Sequence, residues 1–240
     1  MLSSEWRRNT LLTGLALVAL TLYLALAALP NARYRALTFA SYYTATHILV
    51  YAGQDLSRVY DDAWFDAQIP RAGFTGIHDV FNVQPPTMSL LALPLIWLPP
   101  LSARMVWTLL SLLWLVAGLA LLARALGQPV YWGLWALPIG LAYGSTRETI
   151  QTGQAYLLLF FLLCLACWAL ARPEAGWRGE ACAGLALGLM LILKTAGAWL
   201  WPLLLLAGRW RALAFALMFA AAVALVSLPW IGVAGWLAYG

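Results

Sequence analysis

The chain alternates between long apolar blocks and short polar connections, a pattern typical of membrane helices. An α-helix needs about 20 apolar residues to cross ~30 Å of hydrocarbon, and fewer where the membrane is thin. The chain has eight apolar blocks. One of them, residues 86–98, is broken by Pro94 and followed by Pro99 and Pro100. We predict that this block re-enters the membrane or lies on its surface. The seven predicted crossings are residues 10–29, 103–123, 130–143, 155–171, 181–193, 196–207 and 212–228.

The composition supports this class. Hydrophobic residues make up 64% of the 240 residues and charged residues 10%, against roughly 45–50% and about 25% in soluble domains. We therefore predict an all-α polytopic membrane protein, with residues 1–240 forming a single membrane domain. The net charge of +5 comes almost wholly from arginines near helix ends. We interpret them as topology signals rather than as a nucleic-acid surface, and we expect no nucleic-acid partner.

The arginines also predict an orientation, because positively charged loops prefer the cytoplasmic side. Arg7 and Arg8 precede the first apolar block, which predicts a cytoplasmic N-terminus in the cell membrane and an outer loop at residues 30–85. The other loop arginines all fall on the cytoplasmic side only if residues 86–98 do not cross. They are Arg124, Arg172, Arg178, Arg209 and Arg211.

The outer loop concentrates the titratable groups of the chain. Both histidines and five of the nine acidic residues lie between residues 29 and 84. We predict that residues 38–49 form an amphipathic helix beside the membrane, followed by a second short helix that begins near Asp61 or Asp62. The histidine spacing does not favour a metal site, and we expect no cofactor. The candidate site residues of this loop are Asp55, Asp79, Tyr42, Tyr43, His47 and His78.

Two further polar elements fall on the predicted outer side. Arg147 and Gln154 lie in the polar run at residues 145–154, and Lys194 is the only lysine in the chain. A lysine at the bilayer midplane costs ~2.5–3.5 kcal/mol on insertion scales, so such residues usually face a cavity or an anion. The alternative is a lysine that extends to the outer headgroups. Gly184 and Gly188, just before Lys194, predict close helix packing.

Four sequence segments together resemble glycosyltransferase family 87. They are T-F-A-S-Y-Y-T-A-T-H-I-L-V-Y-A-G-Q-D-L-S-R-V-Y-D, F-N-V-Q-P-P-T-M-S-L-L-A-L-P-L-I-W-L-P-P, T-G-Q-A-Y-L-L-L and G-L-A-L-G-L-M-L-I-L-K-T. The resemblance extends from about Thr38 to Arg211. It implies a GT-C fold and transfer of mannose from a polyprenyl-phosphate donor.

The resemblance also implies roles for particular residues. Basic groups near the membrane surface would hold the donor phosphate, which points to Lys194, with Gln154 and Arg147 as polar partners. The family's first-loop aspartate acts as the base on the acceptor hydroxyl, but Thr38 occupies that position here. A threonine hydroxyl cannot replace a general base near neutral pH. Another loop carboxylate would therefore be needed, Asp55 first and Asp79 second.

Two functions remain open from the sequence. The first is transfer of a sugar from a polyprenyl-phosphate donor on the outer face of the membrane, and the resemblance implies that this sugar is mannose. The second is a non-catalytic module that binds a lipid-linked sugar or serves as a scaffold subunit beside other membrane subunits. The chain is also shorter than complete family members, from which we expect that a C-terminal helical module is lacking. The expected partners are the lipid-linked donor and membrane lipid.

Overall fold

The computed structural model describes residues 4–34, 37–52 and 56–239, and this part of the chain is helical without strands. The described residues form eleven α-helices, with short π and 3-10 segments between some of them. The α-helices are α1 (Ser4–Tyr23), α2 (Leu29–Tyr34), α3 (Leu37–His47), α4 (Asp62–Asp66), α5 (Pro100–Ala125), α6 (Val130–Ala142), α7 (Gly144–Thr152), α8 (Tyr156–Leu170), α9 (Gly176–Leu193), α10 (Trp201–Leu206) and α11 (Trp210–Tyr239).

Four helical segments in the described residues are long and apolar enough to cross a membrane: Arg7–Ala32, Pro100–Ala125, Gly176–Leu193 and Trp210–Tyr239. The first is continuous because a π segment, Leu24–Ala28, joins α1 to α2. Helices α7 and α8 are long and apolar enough only when taken together, and with 119° between them they form either a broken span or a re-entrant loop. The structure therefore confirms an all-helical membrane protein. The two remaining predicted crossings correspond to shorter apolar helices, Val130–Ala142 and Gly197–Leu206, so the count of seven stays a prediction.

Close backbone approach holds α9 against α11. A Cβ atom at Gly184 would lie 2.7 Å from the Ala212 carbonyl oxygen, and one at Gly188 would lie 2.6 Å from that of Ala216. Only glycine permits this approach without displacing the backbone of α11, which agrees with the predicted packing role of the glycine pair. This contact sets the direction of α9 and thus the position of Lys194 at its end.

The arginine-bearing loops lie together at one end of the helices. Arg209 donates to Glu180 Oε1 at 3.0 Å, and the second Glu180 oxygen accepts the backbone N–H of Ala212 at 2.9 Å. Arg124 and Arg172 line one shared groove beside this pair. Lys194 lies at the opposite end of α9. This grouping is the one that the arginine pattern predicts, while the assignment of this end to the cytoplasm stays a prediction.

Helix α3 differs from the predicted surface helix. Its residues from Phe39 to Thr46 are all buried, so it does not present one polar face to water. Residues 86–98 account for part of this burial because they form 3-10 turns, Pro86–Leu90 and Leu93–Leu95, beside α3. Tyr43 donates to the Leu98 carbonyl at 2.9 Å, and Thr46 donates to that of Ser89 at 2.6 Å.

The second short helix of the outer loop begins where the sequence predicts. The Asp61 side chain accepts the backbone N–H of Trp64 at 3.1 Å and caps the first turn of α4. Such a cap satisfies a backbone donor that has no partner inside the helix. Asp61 therefore stabilises the start of this helix, while Asp62 Oδ2 accepts a hydrogen bond from Asn82 Nδ2 at 2.9 Å.

Single-cysteine labelling tests the orientation in a variant without Cys164, Cys167 and Cys182. We expect a membrane-impermeant maleimide to label Val83→Cys from outside intact cells and to label Trp177→Cys only after permeabilisation. Both native side chains are exposed, at 67% and 61%, so a cysteine at either position is accessible to the reagent. Labelling of Trp177→Cys in intact cells would overturn the orientation.

Candidate functional site

The break between α7 and α8 is held by a buried arginine. Arg104, which is fully buried, donates from Nη2 to the carbonyl oxygens of Ile150 and Gln151, both at 2.8 Å. The last carbonyls of a helix have no partners inside it and carry partial negative charge. A guanidinium is suited to this position because it presents several donors in a fixed plane. Arg104 therefore fixes the point at which α7 ends and the chain turns into α8.

Gly153 makes the turn itself possible. Its φ of 77° lies in the left-handed region, which residues with a Cβ atom rarely adopt. A Cβ atom here would also lie 2.6 Å from Phe39 Cβ and 3.2 Å from Arg104 Cζ. Trp107 Nε1 donates to the Gly153 carbonyl at 2.9 Å. The T-G-Q-A-Y segment is thus fixed between α3 and α5, which positions the residues that follow it.

Asp79 lies against α3. The Ser41 hydroxyl donates to Asp79 Oδ2, and Asp79 Oδ1 accepts the backbone N–H of Val80 at 2.9 Å. Thr38 and Ser41 are three residues apart on α3 and so occupy neighbouring positions on one face of the helix. The structure therefore brings the second candidate carboxylate to the helix face that bears the family's base position.

A second carboxylate supports this arrangement. Asp66 Oδ1 accepts the backbone N–H of Asp79 at 3.3 Å, and Asp66 Oδ2 lies 2.8 Å from His78 Nδ1. The His78 side chain is 81% exposed. His78 therefore contacts Asp66 at the surface, and Asp66, which the sequence analysis did not select, helps to fix the backbone that bears Asp79.

Tyr42 lies near both Asp79 and the start of α8. Burial raises the pKa of the Tyr42 phenol, and the nearby Tyr156 and Asp79 raise it further. The buried hydroxyl has no hydrogen-bond partner of ordinary geometry among the described residues, although the Ala155 backbone lies near it. The Tyr42 phenol thus remains protonated, and its hydroxyl is an unpartnered polar group among the described residues near Asp79 and the start of α8.

Lys194 contacts the same part of α8. The chain leaves α9 in an extended conformation at Lys194 (φ −154°, ψ 126°). Its Nζ atom donates to the Tyr156 hydroxyl at 2.8 Å and lies 4.2 Å from the centre of that ring. None of the ion pairs in the described part of the chain involves Lys194. Its positive charge thus meets an aromatic ring and a phenol, which do not neutralise it.

The other predicted site residues lie elsewhere. His47 is at the far end of α3, with its ring centre 5.1 Å from that of Tyr51, and burial lowers its pKa. Tyr43 has a structural role through its bond to Leu98. Arg147 is exposed and lines a separate groove with Tyr23 and Gln151. Gln154 is half-buried in the turn before α8, and Asp55 lies outside the described residues.

An apolar groove of about 550 Å³ lies beside residues 90–93. It opens between the π segment after α3, the 3-10 turns of residues 86–95 and the second half of α11. The Thr87 hydroxyl donates to the Ile192 carbonyl, which attaches these 3-10 turns to the end of α9. The lining residues are Leu49, Val50, Leu90, Leu93, Ala222, Val223, Val226, Ser227 and Trp230.

The chain is a membrane protein of a glycosyltransferase family. The model of glycosyltransferase family 87 matches residues 82–240, about two thirds of the chain, and the chain belongs to this family. The match includes Arg104, Gly153 and Lys194 and begins after Thr38 and Asp79. Neither curated proteins nor solved structures give a significant match.

Replacement of Arg104 tests the account of the α7–α8 break. We expect Arg104→Met to destabilise the protein in detergent because two helix-end carbonyls lose a charged donor, and such bonds are worth about 1.5–3 kcal/mol each. Arg124→Met is the matched control, since Arg124 lies on the same helix and is exposed. Equal thermal unfolding temperatures for both variants would contradict the account.

Proposed function

We propose that the protein transfers a sugar, mannose by family resemblance, from a polyprenyl-phosphate donor to an acceptor hydroxyl. The observation that carries the proposal is the position of Asp79 on the α3 face of Thr38. Tyr42 on the same helix lies near Asp79 and Tyr156, and Tyr156 contacts Lys194. In this proposal Asp79 is the base and Lys194 is the cation that binds the phosphate. These are the two groups that a displacement at a phosphorylated leaving group requires.

Lys194 is the proposed contact for the donor phosphate. Its Nζ atom keeps two N–H donors besides the one given to Tyr156. Hydrogen bonds between an ammonium and a phosphate are charge-assisted and about twice as strong as neutral ones. The Tyr156 hydroxyl fixes the direction of the lysine, and Gln154, two residues earlier, is the second proposed partner. We assign Arg147 a different role because it lines another groove.

The polyprenyl chain of the donor is proposed to occupy the 550 Å³ groove. Most of the lining side chains are aliphatic, and burial of prenyl methylene and methyl groups there contributes about 25 cal/mol per Å². Leu90 lies one helical turn after Thr87, whose hydroxyl contacts the end of α9 two residues before Lys194. A lipid with its phosphate at Lys194 thus has an apolar surface for its first isoprene units.

In the proposed reaction the Asp79 carboxylate takes the proton from the acceptor hydroxyl. The acceptor oxygen forms a bond to the anomeric carbon of the sugar while the bond from that carbon to the phosphate oxygen breaks. Polyprenyl phosphate leaves, and Lys194 stabilises the charge that develops on it. The Ser41 hydroxyl orients the carboxylate. We place Asp79 ahead of Asp55 because of this contact.

A non-catalytic module that binds lipid-linked sugar, or a scaffold subunit, is the second candidate function. The observation that favours it is Thr38, which stands where the related enzymes have their aspartate. Such a module would retain the Lys194 contact and the apolar groove but would not activate an acceptor. Donor binding and sugar transfer therefore distinguish the two functions.

Donor binding tests Lys194. We expect Lys194→Met to weaken binding of a polyprenyl-phosphate mannose by about 1.5–3 kcal/mol, the value of a hydrogen bond to a charged group. Arg58→Met in the outer loop is the control, since this exposed arginine stacks on Trp64 and should leave binding unchanged. Donor titration of the purified variants measures both affinities. Equal affinity of Lys194→Met and wild type would mean that Lys194 extends to the outer lipid headgroups and does not bind the donor phosphate.

Sugar transfer tests the base. Loss of a general base typically costs about 10²–10⁴-fold, so we expect Asp79→Asn to lose activity by this amount while donor affinity is retained. Asp55→Asn is the comparison, and Thr38→Asp should raise activity because it restores a carboxylate on the same face of α3. Activity that survives both asparagine variants would contradict the assignment of the base. Donor binding without transfer in every variant, including Thr38→Asp, would favour the non-catalytic module.

A further inference from the structure

The groove that contains Arg147 forms a separate site between α1, α6 and α7. It has a volume of about 360 Å³, and none of its lining residues belongs to α3. We propose that it binds the phosphate of an anionic glycerophospholipid, with the acyl chains along α1 and α6. This site is distinct from the proposed donor site and does not depend on the proposed function. Its lining residues are Ala19, Tyr23, Ala27, Pro138, Leu141, Ala142, Arg147 and Gln151.

The polar end of the groove is suited to a phosphate. Arg147 and Gln151 are four residues apart on α7 and therefore share one face of that helix. Arg147 is exposed, and none of the ion pairs in the described residues involves it. Glu148, the nearest carboxylate in sequence, is exposed and does not line the groove. The arginine charge is therefore available to an anion.

Tyr23 provides the second, independent observation. Its hydroxyl oxygen is buried and has no hydrogen-bond partner among the described residues. A buried hydroxyl without a partner costs free energy, so such groups usually bind something. Because Tyr23 and Arg147 line the same groove, one phosphate group offers acceptor oxygens to both. A guanidinium and a hydroxyl donor are together a common combination for binding phosphate.

The remainder of the groove is apolar and belongs to a membrane helix. Ala19 and Ala27 lie one helical turn on either side of Tyr23, within the segment Arg7–Ala32 that is long and apolar enough to cross a membrane. Only 11% of that apolar window is buried inside the protein, so the helix is open to lipid along most of its length. A polar end at the membrane boundary and an apolar floor within the membrane match a phospholipid better than a soluble phosphate.

Native mass spectrometry of the full chain in detergent tests this site. We expect wild type to retain phosphatidylglycerol in preference to phosphatidylcholine, because only the former adds net negative charge. Arg147→Gln should lower phosphatidylglycerol affinity about tenfold, as expected for loss of one charge-assisted bond. Tyr23→Phe should lower it less, and Ala27→Trp should block the groove while the arginine remains.

Three comparisons identify the ligand. Lys194→Met should bind phosphatidylglycerol as wild type does, which separates this site from the donor site. Soluble glycerol 3-phosphate should compete poorly, and equal competition would contradict a lipid site. Polyprenyl phosphate that displaces phosphatidylglycerol from wild type but not from Arg147→Gln would overturn the assignment in favour of a second polyprenyl site. Equal phosphatidylglycerol retention by wild type, Arg147→Gln and Ala27→Trp would overturn the site itself.

Discussion

The interaction between Arg104 and the last carbonyls of α7 determines how the candidate site is built. It satisfies backbone groups that would otherwise be buried without partners at a 119° break between two helices. A helix break inside a protein needs hydrogen-bond partners for its backbone groups, because buried groups without partners cost free energy. Here the guanidinium, the Trp107 indole and the α3 side chains enclose it. The turn at Gly153 can then point Tyr156 towards Lys194.

The charges around this turn have two different environments. Arg104 is buried and meets carbonyl oxygens, so its role is structural. Lys194 meets only the Tyr156 ring and hydroxyl among its described contacts, so its charge is available to an anion. Asp79 accepts a hydrogen bond from Ser41 on α3, and Tyr42 lies near both Asp79 and Tyr156. The cation and the carboxylate are thus held by separate elements, and neither takes part in an ion pair with the other in the described residues.

The sequence predicts the helical membrane class well because apolar block length is a direct consequence of bilayer thickness. It also predicts the glycine contact of α9 and the cap at Asp61, which depend on local residues. It does not predict the burial of α3, since that depends on 3-10 turns some 50 residues later. Arg104 was missed because a charge in the first turn of an apolar block resembles an interfacial anchor. The sequence also does not show that Arg147 lines a groove with Tyr23, because the geometry of the helix break decides which face of α7 meets α1.

The central claim is that donor phosphate, Lys194 and Asp79 meet beside the α7–α8 break. The most direct measurement is a cryo-electron microscopy structure of the protein in a nanodisc with a non-hydrolysable polyprenyl-phosphonate sugar. The account predicts the phosphonate about 2.7–2.9 Å from Lys194 Nζ, the isoprene units in the groove lined by Leu90 and Val223, and the sugar facing Asp79. Density for the phosphonate in the groove of Arg147, with none at Lys194, would contradict it.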